Sequence, residues 1–283
     1  NNILDASGSA VCLDAAASAM TSLFSSCDYN DLYAHDGGNV AKLMMGTTNL
    51  FLNTLADWQR ITVPRSGGLD IYSFTRDPAF ADPLAGDYHL KSKSGRWQPA
   101  GVGSQGFWTV DSDLHSPCVD AGSPGDSAAA EPAPNGGRVN LGAYGGTEFA
   151  SKSASYRVLL AYAPDSGQIS GQMQPIRWTA SGQAWNTNSD MVRIDYSLDG
   201  GTWIPIVSSL QVKQGTFNWN RPGNTFTNAN GCSIRVAYTA DTSVSSAVFL
   251  PYLTGNSGSG AKTYYVNDGS TTGDVWCKQP GSD

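Results

Sequence analysis

The stretch from Asp77 to Gly146 decides the fold class. It contains DPAFADPLAGDYHLKSKSGRW (77–97), DSDLHSPCVDAGSP (111–124) and EPAPNGGRVNLGAYGG (131–146). Its apolar runs, 88–90, 118–121 and 139–141, are short, and glycine, proline, aspartate and asparagine separate them. Short apolar runs bounded by turn-forming residues are typical of stacked β structure, whereas helices need longer periodic segments. The stretch therefore predicts an all-β protein.

Several motifs resemble the closing coils of right-handed parallel β-helix (pectin-lyase-like) domains in large secreted bacterial surface proteins. They are D-P at 82–83, G-D-Y-H-L at 86–90, S-P-C-V-D-A-G at 116–122, N-G-G-R-V-N at 135–140, L-G-A-Y-G-G at 141–146 and Y-N-D-L-Y at 29–33. The resemblance implies that residues 1–150 form the terminal coils of such a β-helix. Inward side chains would then stack from coil to coil, and asparagines at turns would form hydrogen-bonded ladders.

Local patterns predict further elements within this region. Residues 2–4, 10–13 and 69–74 are strand candidates. A short helix is predicted near 54–60, with Thr54 as its N-cap and Asp57 at the return position of a capping box. The glycine-rich segment 94–110 is expected to be an inserted loop whose aromatic residues cap the stack or bind a sugar: Trp97, Phe107 and Trp108.

A second domain is predicted at 156–252, after a polar connector. Its seven strand candidates are 156–162, 175–179, 191–197, 202–207, 215–220, 232–239 and 247–252. Strands of this length and spacing indicate a β-sandwich, and Asp199-Gly200 supplies the turn of its clearest hairpin. The domain resembles immunoglobulin-like or fibronectin-III-like modules, although the cysteine pair of antibody domains is missing because Cys232 stands alone.

The C-terminal residues predict a linker and a separate strand. Residues 253–262 form a Gly/Ser linker, and 263–283 resemble the start of another β-helix. We expect an assembly strand (Tyr264, Tyr265, Val266, Val275 and Trp276) to cover the open first coil (Ile3, Leu4, Val11 and Leu13) of a neighbouring copy or repeat. A head-to-tail operation that does not close would give a fibre. The alternative is a disordered tail at a proteolytic or segment boundary.

Composition restricts the functional classes. The 283 residues carry a net charge of −7 with 14% charged and 10% aromatic residues, which suits an extracellular or cell-surface β protein. An acidic chain without a basic stripe argues against nucleic acid as a partner. No apolar run approaches the ~20 residues that span a bilayer. Residues 1–5 have no signal-peptide pattern, so we expect either prior processing or a segment of a longer protein.

Cysteines and acids give few candidate sites. Cys12 and Cys27 are the candidate disulfide, and Cys118 and Cys232 lie in apolar patterns typical of small buried residues. An odd total of five cysteines rules out complete pairing within one chain. Asp111 and Asp113 are a weak Ca²⁺ candidate, with a solvated loop as the alternative, and no other cofactor is predicted.

Three functional hypotheses follow. The first is a non-enzymatic extracellular structural module, a repeat or subunit of an adhesive surface protein or filament. The second is a carbohydrate-active lyase or hydrolase whose catalytic coils lie mainly outside this segment. The third is a carbohydrate-binding module, for which Trp185 in the loop 182–188 is the exposed candidate. A groove lined by acids would favour the enzyme, an exposed aromatic platform would favour binding, and burial of 263–278 against another copy would favour assembly.

Overall fold

The structure is a computed structural model, and strands dominate it, so the chain belongs to the all-β class. It describes residues 1–16, 27–66, 69–100, 105–163, 173–183, 185–186, 188–220 and 232–250. We call the described residues up to 155 the N-terminal part and those from 158 to 250 the C-terminal part. No helix among these residues is long and apolar enough to cross a membrane.

The N-terminal part begins with two parallel strand pairs. Its first five strands are β1 (Ile3–Ser7), β2 (Val11–Ala16), β3 (Asp31–His35), β4 (Asn39–Met45) and β5 (Thr48–Leu52). Ile3 pairs with Asp31 in the β1–β3 pair and Val11 with Asn39 in the β2–β4 pair, so one spacing of 28 residues holds for both. β5 returns antiparallel to β4. The chain bends between β3 and β4 at Gly38, where a Cβ atom would lie 2.2 Å from the Ala6 carbonyl oxygen.

A column of polar side chains joins these strands to the segment around Asp70. The Asn30 Oδ1 atom accepts hydrogen bonds from the backbone and side-chain nitrogens of Asn2 at 2.9 and 3.1 Å. Asn30 also donates from Nδ2 to Asp70 at 2.8 Å and from its backbone to Ser73 Oγ at 2.9 Å. Asn30 is buried, so these bonds satisfy polar groups that water does not reach.

The predicted strand at 69–74 is wrong except for its last residue. Asp70 has a φ of +55°, and the Ser73 N–H donates to the Asp70 carbonyl, which makes a turn. Only Phe74 forms a bridge, parallel to Asp31 on the side of β3 away from β1. The alternation of this segment reflects neither an extended backbone nor burial, because Asp70 and Ser73 are buried and Tyr72 is exposed.

The predicted helix is confirmed and is longer than expected. Helix α1 spans Leu55–Ser66. The Thr54 hydroxyl accepts a hydrogen bond from the Asp57 backbone N–H at 3.1 Å, which caps the helix as predicted. Trp58 is fully buried and packs in the core between the helix and the first strands.

Two short hairpins complete the N-terminal part. The first joins β6 (Phe80–Asp82) and β7 (Asp87–Leu90) through a 3₁₀ turn at Pro83–Ala85, and the second pairs β8 (Arg96–Gln98) with β9 (Phe107–Thr109). The segment predicted as an inserted loop therefore contains a hairpin. The apolar runs at 118–121 and 139–141 are buried but form no strand. In the first of them the positive φ of Asp120, +56°, interrupts any extended backbone.

All seven strands predicted for the C-terminal part are present. They are β10 (Val158–Ala163), β11 (Met173–Ser181), β12 (Met191–Ser197), β13 (Ile204–Gln211), β14 (Thr216–Asn220), β15 (Cys232–Tyr238) and β16 (Ser245–Leu250). They form two antiparallel sheets, with orders β10-β11-β14 and β13-β12-β15-β16. One apolar core, which includes Trp178 and Ile194, takes residues from both sheets.

The two parts are in direct contact. The Phe74 and Tyr162 rings lie 5.8 Å apart, and Arg76 donates from Nη2 to the Ala161 carbonyl oxygen at 3.3 Å. The Gly182 N–H donates to the buried Asp120 carboxylate at 3.0 Å. A Cβ atom at position 182 would lie 2.1 Å from the Tyr156 carbonyl oxygen, so this junction requires glycine.

Candidate functional sites

A groove of about 570 Å³ lies beside β1, and we call it the β1 groove. One wall is formed by Ile3, Asp5 and Ser7 of β1 and His35 of β3, and the opposite wall by Phe80, Pro83, Tyr88, Gly142 and Ala143. This volume is within the range of ligand pockets, about 300–1,000 Å³. The β6–β7 hairpin supplies the aromatic wall, where the Phe80 and Tyr88 rings meet edge to face at 5.4 Å.

His35 is held between two carboxylates in this groove. Its Nδ1 lies 2.9 Å from Asp36 Oδ2, and its Nε2 lies 2.9 Å from Asp5 Oδ1. The Tyr33 ring stacks on the imidazole at 4.6 Å. The hydrogen bond to Asp36, aided by Asp5, raises the pKa of His35. Both ring nitrogens therefore lie within hydrogen-bond distance of a carboxylate, so a protonated ring would donate to both.

The β8–β9 hairpin presents aromatic rings. Trp97 and Trp108 are cross-strand partners whose ring centroids are 5.6 Å apart. Phe107 is 58% exposed and Trp108 is 37% exposed. The Lys152 ammonium lies 4.4 Å from the Trp108 ring centroid. We call Trp97, Phe107, Trp108 and Lys152 the aromatic platform; stacking rings beside a polar group are a usual recognition surface for amphipathic ligands.

Three buried carboxyl groups in the N-terminal part have raised pKa values. Burial raises the pKa of Asp31 to about 7, although Arg76 N–H and the Cys118 thiol both donate to it. Burial also raises the pKa of Asp120 and of Glu131. Asp120 accepts from Ser153 Oγ at 2.6 Å and from Gly182, so it joins the two parts rather than closing a local turn.

The four predicted acceptor residues are half-buried. Ile3 packs against the core around Phe74, whereas Leu4 and Leu13 pack into the core around Trp58. Val11 lies at the start of β2. The wall of the β1 groove on the β1 side also contains Asp5, Ser7 and His35. The sequence analysis did not predict these three residues. Their proximity arises from the 28-residue register, for which no local motif gives a signal. The predicted assembly strand (Tyr264, Tyr265, Val266, Val275 and Trp276) lies outside the described residues.

The candidate disulfide is not formed in the structure, and each thiol has another partner. Cys12 and Cys27 are free and half-buried. The Cys12 thiol donates to the Leu4 carbonyl oxygen and the Cys27 thiol to the Asp70 carboxylate, each at 3.2 Å. The prediction that Cys118 and Cys232 are buried is confirmed.

The candidate carboxylates and tryptophan are also engaged. Asp111 accepts from Arg96 Nε at 3.1 Å, and Asp113 pairs with Lys91 at 3.3 Å, so different cations neutralise the two carboxylates. No cluster with metal-ligand geometry occurs among the described residues. Trp185 is half-buried rather than exposed, and its Nε1 donates to the Ser181 and Val158 carbonyl oxygens.

Comparison with known families gives one match. A family model described as "Disaggregatase related" matches residues 48–122, about a quarter of the chain. This segment, which extends from β5 through the whole buried run 118–121, is similar to a domain associated with surface and secreted proteins. It includes the aromatic hairpin and the aromatic wall of the β1 groove. No curated protein and no solved structure matches the chain.

Proposed function

We propose that this chain is an extracellular structural module of a surface protein, which joins neighbouring copies or repeats head to tail through residues 263–278. The observation that carries the proposal is an unpaired strand edge. Among the described strands, β1 pairs only with β3, so its other edge has no strand partner. An unpaired edge is a template for strand addition. A module that contributes an acceptor edge and a donor strand can extend without limit.

The finer architecture belongs to the same proposal. We infer that the N-terminal part is the end of a right-handed parallel β-helix, which the common 28-residue spacing and the Asn30 column support. We infer that the C-terminal part is an immunoglobulin-like sandwich, which the three- and four-stranded sheets around one core support. Contacts such as Arg76 with Ala161 would transmit force from one part to the other.

Electron microscopy with light scattering tests this function. The full chain should form fibres, with an axial repeat equal to one molecule. The variant Tyr264→Ser, Tyr265→Ser, Val266→Ser should remain dispersed, because its tail has lost the apolar side chains of a strand. Ser257→Ala, Ser259→Ala in the linker is the control and should form fibres. A full chain that stays monomeric at all concentrations, or fibres of the triple variant, would refute the proposal.

Carbohydrate binding is a second candidate, and the aromatic platform favours it. Exposed Trp108 and Phe107 beside Lys152 provide stacking surfaces with a cation. The hairpin lies in the segment 48–122 that matches the family model described as "Disaggregatase related". The enzymatic alternative has less support, since Arg96 and Lys91 pair with the nearby carboxylates.

Glycan binding can be measured by affinity electrophoresis in gels that contain neutral or acidic polysaccharides. The full chain should be retarded, and Trp108→Ala should abolish most of the retardation. Trp203→Ala, a half-buried tryptophan over Arg235 in the C-terminal part, is the matched control. Equal retardation of the wild-type chain and both variants would exclude the platform as the binding site.

A further inference from the structure

We propose that the β1 groove is the acceptor site for residues 264–268 of a neighbouring copy, which add as a parallel strand to the outer edge of β1. This inference rests on the proposed head-to-tail function and identifies the surface, the segment and the register. It differs from the sequence-based expectation, in which apolar side chains of β1 and β2 formed the acceptor.

The backbone of β1 has the alternation that strand addition needs. The Asp31 N–H donates to the Asn2 carbonyl oxygen at 2.8 Å, so Asn2, Leu4 and Ala6 direct their backbone groups toward β3. In a parallel ladder the intervening residues direct theirs to the other side. The N–H and C=O groups of Ile3 and Asp5 therefore point along the outer edge.

One backbone hydrogen bond on this outer side is already present. The Gly142 N–H donates to the Asn1 carbonyl oxygen at 3.1 Å, on the side of β1 opposite β3. A Cβ atom at position 142 would lie 2.9 Å from the Ile3 side chain, so glycine allows this close approach. Ile3 and Asp5 both line the β1 groove together with Gly142, and a strand added beside these two residues would extend the same pairing.

The groove has the length and chemistry for a short strand. Five strand residues span about 16 Å, and β1 is five residues long. Phe80, Tyr88 and the exposed Ala143 form an apolar wall, and Tyr88 is 48% exposed. Asp5 and Ser7 form a polar wall. This combination suits a segment that carries both aromatic and polar side chains.

The sequence of 264–269 identifies the occupant because it repeats the pattern of β3. Residues 33–37 read Y-A-H-D-G, and residues 265–269 read Y-V-N-D-G. In β3 the Asp36-Gly37 pair has positive φ values, +47° and +89°, and ends the strand beside Gly8. Aspartate and glycine favour this turn, so Asp268-Gly269 is expected to end the added strand at the same level.

This match fixes the register. Leu32 lies opposite Leu4 and Ala34 opposite Ala6, at positions whose side chains face the core. With the Asp-Gly pairs aligned, Tyr264 and Val266 take the equivalent positions on the other side of β1. Tyr265 then lies opposite Asp5, as Tyr33 does in β3. Each apolar residue of the segment therefore continues an apolar row, and Tyr265 enters the groove.

Photo-cross-linking on the full chain tests the site directly. Tyr265 is replaced by p-benzoylphenylalanine, and ¹⁴N- and ¹⁵N-labelled chains are mixed before irradiation. The expected product is a dimer with mixed-isotope cross-linked peptides that join position 265 to residues 1–9, 80–90 or 142–143. Cross-links confined to one isotope, which indicate docking within the same molecule, or cross-links to the aromatic platform would overturn the proposal.

A groove-filling variant gives the second measurement. Ala143→Trp places a large ring in the groove and should raise the concentration at which fibres form by at least about tenfold, the effect expected at the centre of an interface. Ala130→Trp, at another exposed alanine, should leave it unchanged. The unfolding temperatures of both variants verify that they fold. Fibres of Ala143→Trp at the wild-type concentration would overturn the acceptor site and leave head-to-tail assembly intact, whereas absence of fibres from the wild-type chain would refute the proposed function itself.

Discussion

The N-terminal and C-terminal parts are both built from strands, yet their interiors differ. The N-terminal part buries polar side chains, including Asn30, Asp70 and Asn140, beside its apolar clusters. The C-terminal part has an almost wholly apolar core, and its buried carboxylate, Asp195, is bound by Arg193 and Arg235. The difference indicates two ways of satisfying a buried backbone.

The source of the difference is the regularity of the backbone. Long antiparallel ladders pair most N–H and C=O groups in the C-terminal part. The irregular segments of the N-terminal part use side chains instead: Glu131 Oε1 accepts from the Asn140 and Gly146 N–H groups, and Asn140 Oδ1 accepts from the Asp120 N–H. The stability of this part should therefore depend on polar residues, and that of the C-terminal part on packing.

Loss of packing should have the largest effect. Trp178 is 2% exposed at the centre of the C-terminal core, and its Nε1 donates to the Val212 carbonyl oxygen. Trp178→Ala should lower the free energy of unfolding by about 3–5 kcal/mol, because it leaves a cavity in a close-packed core. Urea unfolding measures the loss. Trp203→Ala, a half-buried control, should have a much smaller effect, and similar losses for the two variants would contradict the packing argument.

A substitution that removes a buried polar acceptor but preserves the side-chain shape should have the next largest effect on stability. Asp70 accepts from Trp58 Nε1, Asn30 Nδ2 and Ser73 Oγ, all within 2.8 Å. Asp70→Asn replaces an acceptor oxygen with a donor and should lower the free energy of unfolding by about 2–3 kcal/mol, since buried donors lose their acceptor. The indole N–H resonance of Trp58 should shift as well. Asp57→Asn, at the partly exposed helix start, is the control. A loss below ~0.5 kcal/mol for Asp70→Asn would show that packing dominates here too.

The junction provides a smaller, matched comparison of two glycines. Gly182 and Gly200 both have positive φ values, +89° and +74°, but a Cβ at Gly182 would clash with the Tyr156 carbonyl oxygen, whereas Gly200 has nothing within 4 Å. Gly200→Ala should cost about 1 kcal/mol from backbone strain alone. Gly182→Ala should cost at least about 1–3 kcal/mol more, because the backbone must shift to make room for the Cβ. It should also accelerate hydrogen exchange at Gln183, whose N–H donates to the Ala154 carbonyl oxygen. Equal losses of stability for the two variants would mean that the contact at Gly182 between the two parts is not closely packed.

The same contrast explains what the sequence could predict. The seven strands of the C-terminal part follow from alternation, because one face of each strand is buried; Ile194 and Val236, for example, pair across β12 and β15 in the core. The capped helix was also readable, since Thr54 and Asp57 act locally. The residues that give these signals lie close together in the chain, so the sequence alone is enough to predict the elements.

The sites of the N-terminal part combine residues that are far apart in the chain, so they were harder to predict from the sequence. The run at 69–74 has the composition of a strand, but Asn30 and Trp58 bind Asp70 in a turn. Likewise, Asp5 meets His35 only because β1 and β3 are in register. The two cysteines of the candidate disulfide likewise lie beside acceptors from different segments, Leu4 for Cys12 and Asp70 for Cys27.

The last expected effect concerns pH and a buried carboxyl group of the N-terminal part. Burial raises the pKa of Asp31 to about 7, above the ordinary value of about 3.9 for an unfolded chain. The folded state therefore holds this proton more tightly than the unfolded state. The stability that Asp31 contributes is complete below pH ~4 and is lost as the pH rises through about 7.

Asp31→Asn should remove this dependence. The variant keeps an oxygen that can accept from the Arg76 N–H, and it carries no charge at any pH. Its unfolding temperature relative to wild type should rise by a few degrees between pH 4 and pH 8, whereas Asp14→Asn, at an exposed carboxyl paired with Lys42, should show no such trend. Asp120 and Glu131 remain in both chains, so their titration cancels in the difference. Parallel curves for Asp31→Asn and wild type would mean that Asp31 stays ionised in the fold, and that its hydrogen bonds from Arg76 and Cys118 offset the cost of burial.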